Sequence, residues 1–195
     1  MMRELVLALK ACAVTFVLCA IAYPAVVWGI AQLLFPFQAE GSLIYTDSGT
    51  IIGSELVAQR FESDRYFHPR PSFVEYKADA AGGSNLGTKN PDLKKAIAER
   101  AMALGATQSR PAPVDLVTAS GSGLDPDISP EAARYQAERV ARARGLTIET
   151  VHSLIERQTN RSAALIGAPP RVNVLLLNLA LDKENGPRLL SGARN

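Results

Sequence analysis

His68 and His152 are the only imidazoles in the chain, and both cysteines, Cys12 and Cys19, fall inside its first apolar run. Nucleophilic chemistry would therefore need Ser120 or Ser122, in Ser120-Gly121-Ser122-Gly123, with one of those histidines. That stretch lacks the G-x-S-x-G pattern that presents a nucleophile on a strained turn. A structural zinc site would need carboxylates in unusual numbers, because no thiol lies outside the apolar run. His68 precedes Pro69 in a predicted loop, which favours surface or packing work, and His152 has apolar helical neighbours and is expected to be partly exposed. Asp125, Asp127 and Ser129 alternate like the start of a calcium loop, but Pro130 replaces the required Gly and Gln136 the required Glu. The run Gly82-Gly83-Ser84-Asn85-Leu86-Gly87 can offer backbone N–H groups to an anion. No Lys-Ser or Lys-Thr follows at P-loop spacing, so a tight loop needing positive φ is preferred. Arg134, Arg139, Arg142 and Arg144 scatter around one predicted helix and are expected to form a solvated face. No basic stripe with interleaved aromatics suggests nucleic-acid binding. Two classes stay open on these residues: an anchored extracytoplasmic hydrolase and a ligand-binding module.

The elements that must carry these residues begin with an apolar run. From Ala11 to Ala39 there is no Asp, Glu, Lys or Arg. A helix rising about 1.5 Å per residue crosses some 30 Å of hydrocarbon in about 20 residues, so residues 11–36 are expected to span a membrane. Trp28 and Phe35 to Phe37 suit the headgroup level at the second end. Pro24 should kink the helix and free a carbonyl, which a bilayer tolerates when a neighbouring helix helps. The run is too long for a cleaved signal peptide, and neither cysteine sits in a good lipidation context. Arg3 and Lys10 precede the span, and no basic residue follows until Arg60. The N-terminus, residues 1–10, is thus expected in the cytoplasm and residues 37–195 outside it. The formal charge of +2 is spread out and selects no partner.

The outer part reads as a single mixed α/β domain, and the whole chain as α+β. Ser42–Thr46 and Thr50–Ile52 suggest a hairpin around Asp47-Ser48-Gly49. Ser54 is expected to cap a helix reaching Phe61, with Leu56, Val57 and Phe61 inward. Residues 63–89 read as loop. Asn90 and Pro91 open a helix ended by Gly105. Residues 114–119 read as a buried strand. Ser129 and Pro130 open a helix stopped by Gly145, and Thr147 caps the next. Val172–Leu181 is strongly apolar, with Asn173 either capping a short helix or lying in a strand. Residues after Asp182 are expected to fray.

Several blocks of this sequence resemble one family in order and spacing. Gly53-Ser54-Glu55-Leu56-Val57-Ala58-Gln59 is similar to a G-S-x-L-x-x-Q segment of the C subunit of the bacterial Kdp potassium-transporting ATPase. Tyr66 to Ser72 resembles its Y-F-x-x-R-P-S segment, and Gly82 to Gly87 its G-G-S-N-L-G loop, with Ala81 where Ser is usual. Asp115 to Ser129, DLVTASGSGLDPDIS, is the most specific likeness, and Arg139-Val140-Ala141 and Val172 to Asp182 complete it. The resemblance implies a non-catalytic accessory subunit of a P-type potassium pump in the bacterial cytoplasmic membrane. Its implied partners are a channel-like potassium subunit, an ATP-hydrolysing subunit and a very small membrane subunit. It implies stabilisation of the assembly, an outer domain over the potassium entrance, and a catalytic-chaperone role that raises ATP affinity of the hydrolysing subunit. No tightly bound cofactor is expected, and ATP enters by resemblance only. ATP is cytoplasmic, so the expected topology sets direct contact below assembly, with coupling through the membrane helix still open. Gln59, Arg70, Asn85, Asp115, Ser122 and Asp125 are the polar residues expected to fix loops or meet the partner. For Asn85 and Ser122 loop shaping is preferred.

Overall fold

The computed structural model describes residues 1–162 and 164–185. They divide into two compact units, Met1–Leu43 and a second from Ile44 onward. In the first, α1 (Met2–Phe16), a π-helical stretch (Val17–Ala22) and α2 (Tyr23–Leu34) follow one another. Together they form one helix of 33 residues, none of it buried, long and apolar enough to cross a membrane. It starts at Met2 because Leu5 to Leu9 continue the apolar helix-forming run. The residue before a proline is driven from helical geometry, so Phe35 turns out at φ −137° and ψ 52° before the short α3 (Pro36–Ala39). Pro24 brings a wide turn. The Tyr23 N–H bonds to Leu18 O, five residues back, and the π-helical stretch absorbs a ring that cannot donate to Ala20.

The hairpin forms as expected, with β1 (Leu43–Tyr45) beside β2 (Ile51–Ser54). Gly49 supplies the turn's positive φ, and the Thr46 and Thr50 backbones pair across it. The helix expected after Ser54 does not. The Ser54 hydroxyl accepts from the Leu56 N–H in a local turn, Leu56 is exposed, and the Ala58 N–H donates to Leu124 O. That long-range bond holds the backbone where a helix would have used it internally. No helix or strand intervenes between Ser54 and Pro91.

α4 (Pro91–Ala103) starts where Asn90 Oδ1 accepts the Asp92 N–H and ends ahead of Gly105, at φ +65°. Residues 114–119 are not a strand. α5 (Val114–Val117) buries Leu116 and Val117 in one turn, and the Thr118 N–H and hydroxyl both return to Val114 O. Pro113 supplies the extended entry to that turn. β3 (Asp127–Ile128) leads to α6 (Pro130–Arg144), capped by Ser129 Oγ on the Ala132 N–H and closed by Gly145 in the left-handed region. α7 (Ile148–Gln158) is capped by Thr147. β4 (Thr159–Asn160), a 3-10 turn (Ala164–Ile166) and β5 (Arg171–Asn173) follow. Asn173 then caps α8 (Val174–Asn185), accepting from the Leu176 N–H. Both readings of this run therefore hold, a strand and then a helix. Of the expected tail, 183–185 is helical and 186–195 lies outside the described residues.

β5 is the middle strand of an antiparallel sheet ordered β3-β5-β4, with Ile128 and Thr159 both opposite Val172. The sheet, α6, α7 and α8 enclose the core. Val140, Val151, Ile155, Val172, Leu177 and Leu181 are fully enclosed there. On α6 the inward positions include Ala132, Ala133 and Ala137, and such small side chains let helix axes approach closely.

Candidate functional site

The long segment without helix or strand has to satisfy its backbone groups by other means. Four helix side chains do so. Asn178 Oδ1 accepts the Phe67 N–H at 2.8 Å, while its Nδ2 donates to Phe67 O at 3.0 Å. Gln136 repeats this one residue on, accepting from the His68 N–H and donating to His68 O. Arg139 donates to Asp64 O and Tyr66 O. Arg144 Nε donates to Arg65 O at 2.6 Å, and Arg65 returns a bond to Ala143 O. Two amides thus take the place of neighbouring strands, and Phe67 is fully buried beneath them.

The expected solvated arginine face is therefore only half right. Arg134 and Arg142 pair with Glu156 and Glu138 at the surface, but Arg139 and Arg144 turn inward. Arg144 lies 2.8 Å from Asp182, with side chains 1% and 6% exposed, and its guanidinium stacks 4.7 Å above the Tyr66 ring. The Tyr66 hydroxyl donates to the same carboxylate. Burial, then the Asp182 charge, pushes the Tyr66 pKa up. Sequence reasoning missed this cluster together with Asn178 and Gln136. The readable signal was Asn178 inside the apolar run VLLLNLALD, where a polar side chain needs a partner.

Three loops meet around residues 70–76, 82–87 and 120–125. The Gly82 N–H donates to Ser122 O, and a Cβ at Gly83 would come within 2.9 Å of Gly121 O. Gly123, at φ +69°, has equally little room against Val74 and Gly82. Close approach is thus required at Gly83 alone among the glycines of the 82–87 loop. Its left-handed residue is Asn85, at φ +53°. Arg70 bridges to Asp125 at 3.1 Å, both side chains about a third exposed or less. Asp125 Oδ1 also accepts the Asp127 N–H. Ser122 Oγ accepts the Leu124 N–H and lies 3.1 Å from Ser120 Oγ. Ser72 Oγ accepts from Val74 and Tyr76, holding Glu75 and Tyr76 at positive φ, and the Tyr76 hydroxyl donates to Arg70 O.

Of the six expected residues, Arg70, Ser122 and Asp125 therefore share one loop cluster, and exposed Asn85 sits on the loop docked against it. Gln59 stands nearby, its Nε2 donating to Ile52 O and its side chain lying over Gly53. Asp115 works apart, its Oδ2 accepting the Ser129 N–H at 2.7 Å and so bracing the start of α6.

A cleft of about 330 Å³ lies between α6 and the end of α4, lined in part by Asp64, His68, Arg110, Tyr135, Glu138 and Arg139. Its arginines outnumber its carboxylates, but each is paired. Arg110 and Arg142 share Glu138, and Arg139 lies 3.6 Å from Asp64. Burial, and then the Arg139 charge, lowers the His68 pKa. The His68 ring faces Ser63 O, and His152 is exposed on α7. Among the described residues neither histidine hydrogen-bonds Ser120 or Ser122, and no cluster of metal-ligating side chains forms.

The class these features define is a folded domain of pinned loops, carried behind one helix long and apolar enough to cross a membrane. A family model described as "K+-transporting ATPase, c chain" matches residues 5–183, and the chain belongs to that family, KdpC. A potassium-transporting ATPase KdpC subunit of Pectobacterium atrosepticum is 52% identical over 169 residues, 84% of this chain and 88% of the relative. Those of Rhodopseudomonas palustris and Myxococcus xanthus are 50% and 48% identical, over 93% and 92% of this chain and 98% and 88% of theirs.

Proposed function

We propose that this chain is a non-catalytic accessory subunit of a potassium-transporting P-type ATPase. In this reading the N-terminal helix, near residues 11–36, anchors it in the bacterial cytoplasmic membrane against partner helices. The domain stands outside the cytoplasm beside the ion entrance of a channel-like subunit. The ATP-hydrolysing subunit and the very small membrane subunit complete the assembly. The observation that carries the proposal is family membership over nearly the whole chain, helix included.

The loop cluster supports a partner-facing role more than a chemical one. Ser122 and Asp125 accept from nearby backbone N–H groups, and Ser120 and Arg70 are engaged with those same two side chains. The 82–87 loop, for which a tight loop is preferred over an anion cradle, packs on residues 121–123 through Gly82 and Gly83. A chaperone-like effect on the hydrolysing subunit would travel through the membrane helix, as a coupling between two states of the assembly.

The test is co-purification with the pump. Deleting residues 2–34 should abolish recovery of the other subunits, and full recovery with that truncation would overturn the anchoring role. Against the rival hydrolase, replacing His68 and His152 together by Asn should leave potassium uptake unchanged.

A further inference from the structure

The cleft between α6 and the end of α4 holds more positive charge than its own carboxylates balance. Its charged lining sets Arg110, Arg139 and Arg142 against Asp64 and Glu138. His68, also on its wall, adds no charge at neutral pH, because burial and then Arg139 hold its pKa below 6.5. The surplus falls where two guanidiniums share one carboxylate. Glu138 Oε1 accepts from Arg142 at 2.9 Å and Oε2 from Arg110 at 3.4 Å. A guanidinium has five N–H donors. Among the described residues, the Arg142 side chain makes one hydrogen bond and that of Arg110 two. Arg142 is 79% exposed, so its remaining donors are open to a ligand. Arg110 is held in place. It donates to Tyr135 O at 2.9 Å, its guanidinium stacks 4.6 Å above the Tyr135 ring, and its backbone N–H is tied to Thr107. A planar fork fixed in this way loses little freedom on meeting a ligand. Leu104 and the Tyr135 ring supply an apolar wall beside it.

We propose that this cleft binds a small monocarboxylate, with its carboxylate between Arg110 and Arg142 and its short apolar tail against Leu104 and Tyr135. The charge surplus sets the class. A carboxylate brings the single negative charge that balances it, and its two oxygens match the fork of a guanidinium. A doubly charged phosphate would exceed the surplus, with Asp64 and Glu138 both opposing the excess. The cavity of about 330 Å³ lies at the low end of the range for ligand clefts, which sets the size. Binding here is a property of the folded second unit, and it stands or falls apart from the subunit reading above.

The experiment titrates the full chain, purified in detergent with isotopically labelled histidine rings, with sodium butyrate and follows it by nuclear magnetic resonance. A carboxylate in the cleft favours the charged imidazole, so butyrate should raise the titration midpoint of His68. That of His152, exposed on α7, should stay where it was. Butyramide, similar in shape but uncharged, and chloride at equal ionic strength should move neither. R142Q removes the surplus and should weaken butyrate binding about tenfold. E138Q enlarges the surplus and should strengthen binding about threefold. Both side chains are more than half exposed, so both variants should keep the wild-type circular dichroism spectrum. If R142Q alone fails to fold, the opposite response of E138Q still decides. A His68 response to butyrate no larger than that to butyramide or chloride would overturn the proposal. Equal butyrate affinity in the wild type and E138Q would do the same, and phosphate binding more tightly than butyrate would refute the monocarboxylate assignment.

Discussion

Arg144 and Asp182 neutralise each other almost wholly out of water, so removing either leaves the other charged and buried. Such a break costs about 3–5 kcal/mol, whereas replacing both partners by apolar residues of similar volume is close to neutral. Asp182→Ala should therefore destabilise the domain strongly, and R144M/D182L should recover most of the loss. Thermal unfolding by circular dichroism checks this, and additive single and double effects would refute the pairing. His68 gives a second expectation. Its folded pKa is depressed below 6.5, by burial and then by Arg139. The unfolded chain then takes up a proton more readily than the folded one as pH falls. The neutral ring's contribution is complete above pH 6.5 and is lost as pH falls through the folded value. Melting temperature should accordingly decline below pH 6.5, and His68→Asn should flatten that part of the curve. A wild-type decline that His68→Asn leaves unaltered would show that other groups cause it.

α6 is the element on which most of the second unit depends. One face packs alanines and Val140 into the core, and the neighbouring Gln136, Arg139 and Arg144 hold the irregular segment. Its start is braced twice, by Ser129 Oγ on the Ala132 N–H and by Asp115 on the Ser129 N–H. Ser129→Ala should cost about 1 kcal/mol, as loss of an N-cap does. Gly83→Ala meets a rigid backbone oxygen rather than a flexible side chain. Prising that loop pair apart should cost about 1–3 kcal/mol and expose the 120–123 loop to proteolysis. The helices carried their own start and stop signals. Asn90-Pro91, Ser129-Pro130, Thr147 and Gly145 could each be read from local residues, because caps are local chemistry. The segment after Ser54 could not. Its single apparent cap looked like a helix start, but the deciding bond joins Ala58 to Leu124, far along the chain. Residues 114–119 failed for a related reason, since a short apolar run does not distinguish one helical turn from a strand. Of the candidate site, residue types were legible but assembly was not. Arg70 and Asp125 stood out singly, and only folding brings them within 3.1 Å.

At the scale of the whole molecule, the membrane reading rests on the helix Met2–Leu34 and on the basic residues near its start. The positive-inside rule concerns which flank is retained in the cytoplasm, and it decides whether the domain ever meets ATP. The protein offers a direct check, because its only thiols, Cys12 and Cys19, lie within that helix. A cysteine introduced at exposed Ser109 would therefore report the side on which the domain lies. Its thiol should react with a membrane-impermeant maleimide in intact spheroplasts, with no gain after permeabilisation. Labelling only after permeabilisation would put the domain in the cytosol. The entrance-covering role would then be untenable, and contact with the ATP-hydrolysing machinery would become the better account of the same fold.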